Sequence, residues 1–510
     1  MPPARSLPLE PSPALELEDI QGLLLHGYRE MNALALLFLR IEDASACRQW
    51  LRELSSGVIT SADPVEHQRH ARERGKDYPR VNLALTPRGL AALGLPEEVL
   101  TTLPLELREG MARRAREHLR DVDANAPEHW RIGGTRFEDD LHVLLMLYAA
   151  DEAGMDRLLH DHSMLAEQQG LRVVHVQQGR RRHQPGDPPG YFRDHFGFLD
   201  GLSQPRIEGH KDPAGVPRDY DRPVKNGEFI LGHLNEYAEY PLSPCVPERL
   251  DLADELPACP GRADWKDLGH NGSYLVVRKL EQDVDAFERF LDEHASLAPE
   301  GAPEDRREWL AAKLVGRWRN GAPLVAAKRG PLHRLLPSLS RREKAKPPLV
   351  SPVSTKDVDN SFLYGRDDPH GYGCPVTAHA RRCNPRDAQP PSRELSTEVT
   401  RRHRLLRRGF NYADDSGRGL LFIALNTSFG RQFEFIQRSW VHFDQLGGVE
   451  GAEDPLAGDG GGRLVIPQQP VRQCVADLQR FVTTRGGGYF FMPSLKAIRV
   501  LAALERPAPE

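Results

Sequence analysis

Within Phe196–Pro205, which reads FGFLDGLSQP, one carboxylate, Asp200, stands among Phe196, Phe198, Leu199 and Leu202. Gly197 and Gly201 lie close on either side. An acid in so apolar a segment is costly to bury unless it is paired or can be protonated. Burial raises a carboxylate pKa from about 3.9 toward values at which the group can accept and return a proton. The competing local reading is an Asx-type turn, in which the acid bonds its own backbone and the glycines supply unusual dihedrals. Local physics alone favours the turn, so the rest of the chain must decide.

His379 is the second singular residue. It lies between Ala378 and Ala380 in Tyr372–Asp387, YGCPVTAHARRCNPRD. Small neighbours let an imidazole approach a flat cofactor, and its nitrogen suits iron. The guanidiniums of Arg381, Arg382 and Arg386 suit carboxylates such as haem propionates. The alternative is one of 20 histidines on an ordinary helix with a solvated basic face. A third feature is Arg401–Asn411, RRHRLLRRGFN, where Arg407 and Arg408 follow two leucines. At least one is expected to turn inward, and a buried guanidinium requires a carboxylate or an anionic ligand. A basic surface helix is the alternative.

These residues must be positioned by the elements around them. Leu34–Ile41 predicts a buried strand, Ala44–Leu54 a helix, Val81–Leu85 a second strand, and Pro87–Leu93 a short helix ended by Gly94. Leu141–Ala149 reads as a third strand, Glu152–Gln168 as a helix and Leu171–Gln177 as a fourth strand. The theme recurs in Ser273–Arg278, the helix Val284–His294, Gly419–Leu425, the helix Arg431–Trp440 and Gly488–Met492. Single strands alternating with helices predict an α+β fold of two antiparallel sheets, each covered by helices on one face. Ala298–Val353 reads as a basic, proline-bearing insertion with one helix at Glu304–Asn320. Long loops of this kind often carry binding and chemistry.

The 510 residues suggest about three domains as a weak prior. With 68 basic and 73 acidic residues the net charge is −5, which does not point to nucleic acid. The arginine run carries no interleaved aromatic platform either. Six scattered cysteines without a CxxC pair predict neither a disulfide framework nor a zinc site, and fit a reducing compartment. No apolar run of about 18 residues appears and no export signal is visible, so the expectation is a cytoplasmic chain with no membrane span.

Taken in order, FGFLDG, CPVTAHARRCNPRD, HRLLRRG, GLLFIALNTSFGRQFEFIQRSW and FVTTRGGGYFFMPS resemble the dye-decolourising peroxidases, over about Asp19 to Leu501. The likeness is to the longer bacterial and fungal branches, which carry a segment like Leu310–Val325. It implies two ferredoxin-like modules with helices on the outer faces, and haem b between the sheets and helices of the C-terminal half. The expected division is an N-terminal extension over 1–18, a module over 19–195 and a haem-binding module over 196–505 containing the insertion at about 298–353. Carried over by motif, His379 matches the proximal ligand, Asp200 the distal acid and Arg407 the distal arginine, with Arg408 as the alternative register. The resemblance further implies Arg382 and Gly201 at the cofactor, and Asp477 or Asp454 as acceptor of the other imidazole N–H, with Asp477 preferred. The implied activity is reduction of hydrogen peroxide and oxidation of phenolic, dye-like or other small-molecule electron donors through an oxyferryl intermediate, in a possible homo-oligomer. Trp440 and Tyr489, in the matching motifs, read as packing residues rather than radical relays. Two rivals keep the fold: a haem-handling protein and a cofactor-free interaction module.

Overall fold

The computed structural model describes residues 14–135, 140–210, 222–299, 301–325, 360, 362–445 and 448–504. The strands are β1 (Ala33–Ile41), β2 (Arg80–Leu85), β3 (Val143–Ala149), β4 (Leu171–Arg180), β5 (Ser273–Gln282), β6 (Leu406–Arg407), β7 (Phe410–Asp414), β8 (Gly417–Asn426) and β9 (Val482–Met492). They form one antiparallel sheet in the order β6–β8–β7–β4–β1–β3–β2–β9–β5, and β8 also pairs with β5, so the sheet closes on itself.

Each half of this sheet repeats one order. The first runs β4–β1–β3–β2 and the second β9–β5–β8–β7, the ferredoxin-like arrangement in which the outer strands are the last and the second. The halves meet at two narrow seams, where Asn411 pairs with Arg180 and Phe491 with Leu85. The two expected sheets are therefore halves of a single closed sheet. A one-residue seam leaves no periodicity for the sequence to show.

Closure buries both faces. Leu34, Leu36 and Phe38 of β1 point inward with Leu144, Met146, Leu275, Val277, Leu421, Ile423 and Phe490. Ala35, Leu37 and Leu39 point outward under the helices. Strands covered on both faces read as continuous apolar runs, as ALALLFLRI does. The covering helices include α1 (Ala44–Ser55), capped by Asp43, and α2 (Glu152–Gln168), capped by Asp151. Over the second half lie α3 (Val284–His294), α4 (Pro303–Val315) and the one-turn α5 (His379–Cys383).

Several expectations need correction. The helix expected over Glu304–Asn320 stops at Val315, because Gly316 takes φ +96° and caps it in the left-handed region. Arg431–Trp440 is π-helical, in two stretches, Phe429–Glu434 and Ile436–Val441. The basic run before Asn411 is not one surface helix: Arg401 ends the helix Arg393–Arg401, and Leu406–Arg407 form strand β6. Cys245 and Cys259 form a disulfide. Their scatter in sequence hid it, because the short strand Cys245–Pro247 folds back on Trp265–Asp267 and brings Cys259 alongside. Residues 1–13 of the expected extension and 326–353 of the insertion lie outside the described residues. Leu15 and Leu17 pack on the sheet interior, and Glu16 pairs with Lys496. Among the described residues no helix is long and apolar enough to cross a membrane.

Candidate active site

The outward face of the second half-sheet walls a cavity of about 340 Å³. Arg278, Leu280 and Gln282 of β5, Leu420 and Phe422 of β8, and Val482 and Thr484 of β9 form its floor. Alternation along each strand selects them, because their neighbours Val277, Leu421 and Ile423 point into the closed sheet. The opposite side is built by α5, the π-helical segment and the Asp194–Ser203 loop.

His379 opens α5 and lines the cavity, its side chain 34% exposed. Its Nδ1 bonds the carboxylate of Asp454, at 2.9 Å to Oδ2 and 3.1 Å to Oδ1. Asp454 is itself buried, and its Oδ1 accepts the N–H groups of Leu456 and Ala457, both at 2.9 Å. Burial disfavours the charged imidazole, but the Asp454 carboxylate outweighs it, aided by Cys383, and holds His379 well above the ordinary histidine pKa. With Nδ1 committed, Nε2 is the nitrogen left for a ligand in the cavity. The two flanking alanines divide their work. Ala380 lines the cavity, whereas Ala378 is buried against Gly316, where an added Cβ would meet Cys374 Sγ at 3.1 Å and Ala380 Cβ at 3.2 Å. Glycine at 316 thus lets α4 end against α5 and fixes where His379 stands.

Asp200 also lines the cavity and sits on the two-residue strand Leu199–Asp200, paired with Phe192–Arg193. Its Oδ1 accepts the N–H of Gly201 at 2.6 Å, so the turn and the acid are one feature. Gly197 and Gly201 take φ +89° and +78°, which the reversal on either side of the acid requires. Arg407 lines the same cavity and is tied to the same loop. Its Nη2 donates to Leu202 O at 2.7 Å, and its backbone N–H and C=O bond the Gln204 amide, both at 3.1 Å. Arg408 points the other way and donates to Leu23 O and Leu24 O. Of the two registers, only Arg407 reaches the cavity.

Three expected site residues are not brought in. Arg382 is fully buried and donates to the carbonyls of Trp440, Ala452, Val441 and Phe443, so it clamps the chain around α5 and faces no propionate. Gly201 shapes the distal turn without lining the cavity. Asp477 is exposed on the strand Gln473–Leu478, and Asp454 takes the role expected of it. Trp440 and Tyr489 are buried, and Tyr489 Oη donates to Glu434 at 2.9 Å.

Other wall residues had no motif to mark them. Arg278 forms a buried pair with Asp121, at 2.5 and 2.6 Å. The only signal was a charge following the apolar run SYLVV. Asp194, six residues before Asp200, lines the cavity and accepts the Phe198 N–H at 2.8 Å. Burial pushes its carboxyl up to about 7; the Phe198 bond opposes this and the Asp200 charge adds to it.

A cleft with leucine, valine and phenylalanine in its walls, an imidazole whose Nε2 is uncommitted, and both acids and guanidiniums along its lining fits a flat metallocofactor. The comparisons agree. No protein-family model matches the chain. A dye-decolorizing peroxidase of Mycena epipterygia is 27% identical over 532 residues, covering 96% of this chain and 88% of the relative. The multifunctional dye peroxidase DyP2 of Amycolatopsis sp. is 29% identical over 526 residues, with 96% of both chains covered. Its solved structure superposes with a TM-score of 0.68 at 26% identity over 95% of this chain and 96% of that one. An ancestral D-type dye-decolorizing peroxidase gives 0.71 at 26%, covering 96% of this chain and all of that one. Over nearly its whole length the chain resembles the bacterial and fungal dye-decolorizing peroxidases. One solved dye-decolorizing peroxidase of the same fold is described by its heme pocket.

Proposed function

We propose that the chain binds haem b through His379 Nε2 and uses Asp200 and Arg407 to reduce hydrogen peroxide at the expense of phenolic or dye-like one-electron donors. The observation that carries this reading is that the Asp454-bonded His379, Asp200 and Arg407 all line one cavity, with Arg407 tied to the loop that carries Asp200. A bound haem supplies the iron at which peroxide is reduced and through which donors are oxidised. The chain supplies the rest. Asp454 accepts a hydrogen bond from Nδ1–H, so it is Nε2 that would give up its proton to hold the iron, as a strong donor. Asp200 Oδ1 is held by the Gly201 N–H, which leaves Oδ2 to take a proton from one peroxide oxygen and return it to the other. Arg407, fixed by Leu202 and Gln204, directs its remaining N–H groups at the oxygen that departs with negative charge.

One dye-decolorizing peroxidase has been solved in complex with 2,6-dimethoxyphenol, and this phenol is the first donor to try. The haem-loaded chain is mixed with hydrogen peroxide and the phenol, and oxidised product is counted against peroxide consumed. Two one-electron oxidations per peroxide support the peroxidase. Haem binding without turnover, or release of iron from the porphyrin, would support the haem-handling reading instead.

A further inference from the structure

Behind the His379 side of the cavity lies a second cluster that the peroxidase chemistry does not use. His442, Glu453 and Asp459 each offer one ligand atom within 4.8 Å of the others. His442 is 1% exposed, and its Nδ1 lies 3.4 Å from Asp459 Oδ2 without a hydrogen bond. Asp459 Oδ1 is also buried and unbonded. Buried polar atoms without a hydrogen-bond partner are costly, and an ion held by the three side chains would satisfy His442 Nδ1.

The surroundings prepare His442 for that part. Its ring meets the Gln437 side-chain amide at 2.8 Å through Nε2. The two ends of an amide are assigned rather than observed. With Oε1 turned toward the ring, Nε2–H donates to Gln437 and Nδ1 becomes the bare, ligating nitrogen. Glu453 Oε2 accepts the Asp459 N–H at 2.9 Å, which sets the two carboxylates side by side. A neutral imidazole with two carboxylates carries two negative charges, matching a divalent cation. Of the arginines that act on Asp459, Arg480 is engaged with the Asp459 carbonyl at 2.6 and 3.0 Å. Donors about 2.1 Å from one ion stand at most about 4.2 Å apart, so little or no closure of the cluster is needed on binding.

We propose that His442, Glu453 and Asp459 bind one divalent first-row transition-metal ion, outside the haem cavity and linked to its wall through Gln437. One nitrogen and two carboxylate oxygens suit Mn2+ or Zn2+ better than Ca2+, which takes six to eight oxygens.

The test uses the haem-loaded chain, stripped of divalent ions by chelator and desalted. It is titrated calorimetrically with Mn2+, Zn2+ and Ca2+ in separate runs. One ion per chain is expected for Mn2+ and Zn2+, with Ca2+ at least tenfold weaker. Glu453→Gln and Asp459→Asn preserve side-chain size, and each should weaken binding at least tenfold with the Soret band unchanged. His442→Gln should do the same, and if it fails to fold the two carboxamide variants decide. No stoichiometric binding at millimolar metal would overturn the proposal, leaving His442 and Asp459 as an ion pair alone. So would Ca2+ binding as tightly as Mn2+, or Zn2+ binding that survives both variants, which would place that ion on His379, Cys383 and Asp454 instead.

Discussion

Replacing Asp454 by Asn tests how the chain prepares His379. The carboxylate serves both sides of the site: Oδ2 accepts His379 Nδ1–H at 2.9 Å, and Oδ1 accepts the Leu456 and Ala457 N–H groups. A carboxamide has one oxygen. If that oxygen stays with the two backbone donors, the NH2 group faces the imidazole and drives the proton from Nδ1 to Nε2, the nitrogen that must be bare to bind iron. If the amide turns, two buried backbone donors lose their acceptor. Losing a hydrogen bond to a charged group costs about 1.5–3 kcal/mol. At about 1.4 kcal/mol per factor of ten, that is roughly a 10–100-fold loss of haem affinity. The assay is transfer of haem to excess apomyoglobin, followed in the Soret band. Asp477→Asn, on an exposed strand, should leave the transfer rate unchanged. Haem retention within twofold of the parent in Asp454→Asn, or a large loss in Asp477→Asn, would refute the reasoning.

Other consequences can be measured on the same protein. Asp200→Asn and Arg407→Leu should keep haem bound while slowing the reaction with peroxide by about 100–1,000-fold each, read by stopped-flow absorbance. Arg382→Ala strips four carbonyls, three of them in buried bonds, of their donor and should destabilise the fold by about 3–5 kcal/mol, read by denaturant unfolding; a variant of unchanged stability that had lost only haem would restore the propionate role. Asp194 is raised to about 7 in the folded chain and lies near 3.8 unfolded, so the native state binds the extra proton. Its contribution is complete below about pH 4 and is lost as pH rises to about 7, on the order of 4 kcal/mol at most. Asp194→Asn should flatten the stability profile in that window, and a profile of unchanged slope would contradict the assignment.

Much of the fold was legible because the strands are buried on both faces and the helices carry their own punctuation. The helices Glu152–Gln168 and Val284–His294 match their expected bounds, because a capping Asp precedes each. Closure of the sheet was not legible, since single residue pairs make its seams. His379, Asp200 and Arg407, which line one cavity, were singled out through motif order; no local property of any of them outweighed its ordinary reading. Arg382 and Asp477 misled for one reason. A charge in a motif says nothing of where its side chain points, and only packing shows that Arg382 turns to backbone carbonyls and that Asp454, 75 residues from His379, reaches the imidazole. The Cys245–Cys259 bridge and the His442 cluster escaped because neither has a characteristic spacing.

The central claim is that His379 holds the haem whose iron meets peroxide. The direct measurement is the absorbance spectrum of the chain and of His379→Ala after loading with one equivalent of haem, before and after one equivalent of hydrogen peroxide. The account predicts that the parent takes up haem with a sharp Soret band that shifts within the mixing time. His379→Ala should lose the band, or give a weak one that added imidazole sharpens. A parent spectrum that stays featureless, or a His379→Ala variant that keeps the parent's Soret band and its response to peroxide, would contradict it.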